Sequence, residues 1–246
     1  MNVILLGATK GMGRAIARQM AERGDTLFLF ARDVEDAQKS ADDIAARTGK
    51  AAPSVAHCDL ADTATFAPAL DAAFAAMGKV DAVVVTAGLF GLQDALEADV
   101  AFTQQLLTIN FANTITFCEH VRPRLLGQSG GGTLCVFSSV AGDRGRKPVG
   151  IYGASKAGLS HYLESLDHKY RAEGLITVCV KPGFVKTGMT AGLSPPPFAG
   201  EPEGVAKDVI HAIDRGTPLI YTPFMWRWVM LVIRHLPRFV MRKIGF

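Results

Sequence analysis

The stretch NVILLGATKGMGRAIARQMAERGDTLFLF, residues 2–30, decides the fold. NVILL (2–6) is a short apolar run that stops at Gly7, as a buried strand does. From Gly11 the spacing becomes helical, with Ile16, Ala17 and Met20 on one face and Gly24 suited to a C-terminal cap. TLFLF (26–30) is a second strand. Gly7, Thr9, Lys10, Gly11, Met12 and Gly13 fill the turn between the first strand and the helix. Small residues there let the backbone bend tightly and approach a pyrophosphate, which then sits at the positive N-terminus of the helix. Glycines also make ordinary turns, so the reading rests on their place after the first strand of an alternating chain.

That alternation continues. A charged helix over about 33–47 precedes the strand SVAHC (54–58), and a helix over about 62–77 precedes DAVVV (81–85). A long helical region, about 98–126, leads through a glycine-rich turn to TLCVFS (133–138). A helix over 152–173 and the strand ITVCVK (176–181) follow. The strands are continuous Val, Ile and Leu runs, as expected of a parallel sheet covered by helices on both faces. The expectation is an α/β fold: a single doubly wound Rossmann-type domain over 1–223, with a loop over the site at about 187–204 and a tail at 224–246.

Composition narrows the function. The chain has 246 residues, enough for one sizeable core, with 49% hydrophobic and 20% charged residues. A net charge of +3 is too small to argue for nucleic acid, and the basic excess sits in the tail. Cys58, Cys118, Cys135 and Cys179 lie far apart beside apolar neighbours, with no C-x-x-C and no His cluster. They read as buried free thiols in a reducing compartment, with no metal site. The N-terminus MNVILLG is too short for a signal peptide. A cytoplasmic protein is expected, at most peripheral to the inner face of a membrane.

Tyr152 and Lys156 stand four apart on the helix and share a face. A phenol ionises near pH ~10, and a neighbouring ammonium that stabilises phenolate brings that value down, making a usable acid/base. Ser139 lies at the end of the preceding strand, and Asn110 within TINFANT.

These residues, the G-x-x-x-G-x-G spacing and the P-G-x-V-x-T segment within VKPGFVKTGM (180–189) resemble the short-chain dehydrogenase/reductase family, over residues 2 to about 215. The resemblance implies that Ser139 orients a substrate oxygen and that Tyr152 exchanges its proton. It also implies that Lys156 binds the nicotinamide ribose and tunes Tyr152, and that Asn110 holds a water in a proton relay. Pro182, Gly183, Val185 and Thr187 would flank the nicotinamide, and Asp59 and Leu60 the adenine. Leu6 stands where the family has Thr, which removes one hydroxyl from the turn. Thr86-Ala87-Gly88 replaces N-A-G, keeping the glycine. At the end of the second strand, where an NAD-preferring member has Asp, this chain has Ala31 and then Arg32. With Lys10, two cations and no acid suit the extra phosphate of NADP(H).

The tail FMWRWVMLVIRHLPRFVMRK (224–243) has two Trp, five Arg or Lys and no acid. Its longest apolar stretch, Trp228–Ile233, is too short to span a bilayer. Wound as one helix it puts Arg227, Arg234, Arg238 and Arg242 in one sector, although Pro237 should kink or divide it. Such a segment suits an anionic membrane interface; a tail docked on its own core or on a second subunit of a homo-oligomer is the alternative. The tail and the segment around Tyr152 also resemble a subgroup of the family that reduces decaprenylphosphoryl-2-keto-erythro-pentose, and bacterial relatives of it. That resemblance implies a lipid-linked carbonyl substrate, whose phosphate Arg144, Arg146 or Lys147 would meet. A small-ketone or 3-oxoacyl reductase and a non-catalytic NADP-sensing protein are the competing expectations.

Overall fold

The computed structural model describes residues 1–244; the last two residues of the expected tail lie outside them. Seven strands form one sheet: β1 (Asn2–Leu6), β2 (Thr26–Ala31), β3 (Ser54–His57), β4 (Ala82–Val85), β5 (Gly132–Phe137), β6 (Leu175–Pro182) and β7 (Leu219–Thr222). Their order is β3-β2-β1-β4-β5-β6-β7, and every pairing is parallel. The chain runs outward from β1 to β3, then returns to place β4 on the other side of β1. Crevices at such a reversal, beyond the C-terminal strand ends, are where this architecture binds ligands. The register Leu6↔Val85 brings Gly7 and Thr86 to the same level there.

Both faces of the sheet are buried, which explains the unbroken apolar strands. On one face α1 (Gly11–Arg23), α2 (Val34–Thr48) and α8 (Pro202–Arg215) supply Ile16, Met20, Ile44 and Val209 to a core with Val3, Leu5 and Leu29. On the other, α3 (Phe66–Met77), α6 (Thr114–Leu126) and α7 (Gly150–Tyr170) supply Phe66, Phe117 and Leu159. All four cysteines are buried and free.

Several expected boundaries move. The helical region assigned to 98–126 is α4 (Gln93–Ala98), α5 (Val100–Leu107), a π-helical turn at Thr108–Asn113 and then α6. Asp99 makes the break between α4 and α5: it leaves the helical conformation and its carboxylate accepts from Phe102 N at 2.9 Å. Sequence reading passes over α8 and β7. The signals for α8 are Pro202 at its start, Val205, Ala206, Val209, Ala212 and Ile213 on one face, and Gly216 as a left-handed cap. Strand β7 is a four-residue edge strand, too short and too exposed for a clear pattern.

The tail is not one helix. Pro237 divides it into α9 (Met225–His235) and α10 (Arg238–Met241), with Leu236 extended between them, so the four arginines share no single sector. One face of α9 docks on the domain. Trp226, Met230 and Ile233 are buried against Val140, at the i, i+4, i+7 spacing of a helix stripe. No helix among the described residues is long and apolar enough to cross a membrane.

Candidate active site

The glycine turn is a bare main-chain cradle. Gly7 has φ +101°, and a Cβ there would lie 2.6 Å from Thr86 Oγ1. At Gly13 a Cβ would come within 2.2 Å of the Gly7 carbonyl. Helix α1 begins with no side-chain cap and no acid in its first turn, so its leading N–H groups stay open to an anion. On these grounds the residues present fit a dinucleotide. The hydroxyl that Leu6 cannot offer comes from the neighbouring strand: Thr86 Oγ1 donates toward the carbonyls of Gly7 at 3.0 Å and Leu6 at 3.2 Å. Thr86, a departure from the family pattern, is thus a brace of the turn.

Gly7, Thr9, Lys10, Ala31, Arg32, Asp59, Leu60, Ala87 and Gly88 line one groove. Met12, Gly88, Ser139, Tyr152, Lys156, Pro182, Gly183, Val185 and Thr187 line the adjoining cavity of ≈ 510 Å³, within the range of small-molecule sites. Thr86, Gly88, Leu89 and Met189 border both. Gly11 lies beside Thr187, whose methyl a Cβ on Gly11 would meet at 3.3 Å. Gly13 and Asn110 line neither space. The β2 end is not free of acid as expected: Asp33 and Asp36 line the groove, and Lys10 Nζ lies 3.5 Å from Asp36 Oδ2. Exposed Arg32 makes no ion pair among the described residues, so it carries the phosphate argument alone.

Tyr152 and Lys156 project from the first turns of α7, whose start is held by Gln93 Oε1 accepting from Ile151 N at 3.0 Å. Ser138 ties α7 to β5, its Oγ donating to the Lys156 carbonyl at 2.9 Å. Lys156 Nζ donates to the Phe137 carbonyl at 2.9 Å and lies 5.9 Å from the Tyr152 ring centre. Ser139, at the end of β5, accepts from Ala141 N at 3.1 Å, and the Phe90 ring stands edge-on to Tyr152 with centres 5.0 Å apart.

Burial governs the titration of this pair. It pushes the Tyr152 phenol up to about 12, with the Ser139 hydroxyl pulling the other way. It pulls the Lys156 ammonium down to about 8, because charge is disfavoured where water is excluded. The net direction is opposite to the lowering expected from Lys156, with desolvation the largest cause. Both directions favour the neutral forms, the phenol of Tyr152 and the amine of Lys156, with Lys156 titrating closest to neutral pH.

Asn110 is fully buried in the π-helical turn. Its Nδ2 donates to the Leu89 carbonyl and its Oδ1 accepts from Leu89 N, both at 2.7 Å. The Asn110 side chain thereby holds the loop after β4. A π-turn inside a helix is a common mark of a functional site.

Sequence reading also misses Trp226. A Cβ on Gly183 would lie 2.2 Å from its indole, and its Nε1 donates to the Phe198 carbonyl at 3.1 Å. Trp226, Val229 and Ile233 of α9 thereby wall the cavity opposite α7. Of the three cations proposed for a phosphate, only Arg146 lines that cavity. Arg144 Nη2 donates to the Leu236 carbonyl at 2.9 Å, and Lys147 is exposed.

A glycine cradle on an uncapped helix, joined to a cavity lined by a half-buried Tyr and a buried Lys, defines a nucleotide-dependent oxidoreductase. Over residues 1–197 the chain matches the short chain dehydrogenase family, and it belongs to that family. It is 30% identical over 241 residues to the uncharacterized oxidoreductase Rv2073c of Mycobacterium tuberculosis, covering 98% of this chain and 96% of that one. A short chain dehydrogenase of Shigella flexneri, solved with NADP, is 26% identical, with a TM-score of 0.78 over 89% of this chain and 95% of that one. A family member from Burkholderia phymatum, solved with NAD, has a TM-score of 0.82 at 23% identity, covering 93% of this chain and 91% of that one. That last likeness speaks to the fold.

Proposed function

We propose that the chain is an NADPH-dependent reductase that turns a ketone into a secondary alcohol, with Tyr152 as general acid. The observation that carries this reading is Tyr152 together with Ser139 and Lys156 on one cavity, which borders the glycine groove. The turn residues Gly7, Thr9, Gly11, Met12 and Gly13, with Asp59, Leu60, Ala87 and Gly88 of the groove, would hold the cofactor, with Arg32 toward the phosphate that marks NADPH. When bound, the cofactor supplies a hydride to a carbonyl carbon. Ser139 orients the carbonyl oxygen and Tyr152 gives it a proton. The charged Lys156 stabilises the phenolate left behind, in a site where electrostatic stabilisation is strong because water is excluded.

The substrate in this reading is amphiphilic. Phe184, Leu193, Phe198, Trp226 and Ile233 also line the cavity, an apolar surface suited to a body such as that of a lipid-linked keto-sugar. The outer face of the tail supports a peripheral membrane contact: Phe224, Trp228, Leu231, Val232 and Phe239 are exposed alongside Arg227 and Arg238.

Tyr152→Phe tests the mechanism. Turnover of any ketone that the wild type reduces should fall at least about 10²-fold, the usual value of general acid catalysis, with NADPH binding kept. Near-normal turnover in that variant rules the mechanism out.

A further inference from the structure

Among the described residues, the Arg146 Nε is a buried side-chain polar atom without a hydrogen-bond partner. It belongs to a guanidinium that lines the substrate cavity. Burial also works against its charge, with Asp143 the acid that favours it. That acid is already engaged: Lys181 Nζ donates to Asp143 Oδ1 at 2.6 Å, and Tyr221 Oη to Oδ2 at 2.7 Å. The other cation of the cavity, Lys156, is held at the Phe137 carbonyl.

A guanidinium always carries its charge, and in the half-buried Arg146 a buried Nε left without an acceptor is costly unless a ligand completes it. The planar fork matches an oxyanion, taken with two parallel hydrogen bonds. We infer that Arg146 is the specificity-determining residue of this cavity, and that the substrate carries a carboxylate or phosphate on an apolar body. The oxyanion sits on Arg146 while the carbonyl faces Tyr152 and Ser139. The inference rests on the reductase reading for the carbonyl, but the oxyanion site stands on Arg146 alone.

The test separates the two. Decanoate, decyl phosphate and decanol are titrated into the protein by calorimetry, which needs no turnover. At least one anion should bind about tenfold or more tightly than decanol, as expected of a charge-assisted pair in a water-poor site. The preference should vanish in Arg146→Gln and survive in part in Arg146→Lys, with thermal unfolding checking that both fold. Which anion binds more tightly tells carboxylate from phosphate. In turnover, 9-oxodecanoate or 9-oxodecyl phosphate should exceed methyl 9-oxodecanoate in kcat/KM by a similar factor. Equal binding of anions and decanol by the wild type, no binding of either anion at millimolar concentration, or an unchanged preference in Arg146→Gln overturns the inference. An anion preference without reduction of any of the ketones leaves the oxyanion site standing and removes the reductase reading.

Discussion

The docking of α9 on the active site is tested by putting one methyl group between Gly183 and Trp226. An alanine Cβ at 183 would lie 2.2 Å from two atoms of the indole. Ordinary carbon contacts lie at about 3.5–4.0 Å, so the ring must retreat by more than an ångström. Gly183 does not have a left-handed backbone, so the cost comes from the ring and not from strain in φ. Overpacking of this kind costs about 1–3 kcal/mol. Trp226→Ala removes the ring and costs about 3–5 kcal/mol, since the side chain is buried and packs with Val140 and Met230. With the ring gone the added methyl meets open space, so Gly183→Ala should then be close to neutral. The cycle therefore predicts a coupling of about 1–3 kcal/mol, with the double variant less destabilised than the sum of the singles. Urea unfolding of the four proteins measures it. If Gly183→Ala costs the same with and without the indole, the tail does not lie on the site.

Reduction should weaken on the alkaline side, with kcat falling through about pH 8 as Lys156 loses its charge while Tyr152, near 12, stays protonated; a kcat that stays flat past pH ~10.4, the ordinary lysine value, refutes the role of the ammonium. Ala31→Asp with Arg32→Ser should shift preference from NADPH toward NADH, and Lys10→Ser should do less, because Lys10 already faces Asp36; a wild type that binds NADH more tightly in a titration sinks this reading. Arg227→Glu with Arg238→Glu should release the protein from anionic vesicles at low salt, each exposed cation being worth about 1 kcal/mol near such a surface. Equal recovery of wild type and variant by co-sedimentation refutes the membrane contact.

Local chemistry wrote much of this protein directly into its sequence. A glycine triplet between a strand and a helix, continuous apolar strands, and Tyr152 and Lys156 one helical turn apart are short-range patterns, legible without knowing what packs against what. The doubly wound parallel sheet follows from them, and so does the collection of the groove and cavity residues at its C-terminal edge. What needed tertiary structure was every property set by a distant neighbour. Thr86 reads as a departure from a family pattern until the β1–β4 register sets its hydroxyl on the Gly7 carbonyl. Arg144, Arg146 and Lys147 are equivalent as letters, yet one is tied to the tail, one is exposed, and one lines the cavity with its Nε buried and unpartnered. The direction of the Tyr152 shift follows the same rule: Lys156 is visible in the sequence, but the desolvation that raises the phenol exists only once the chain has closed around it. The tail shows this most fully, because a stripe of Trp226, Met230 and Ile233 has the same spacing whether it meets lipid or protein. Only the bare Cα of Gly183 and the carbonyl of Phe198, brought beside it by the fold, decide that Trp226 is a wall of the active site.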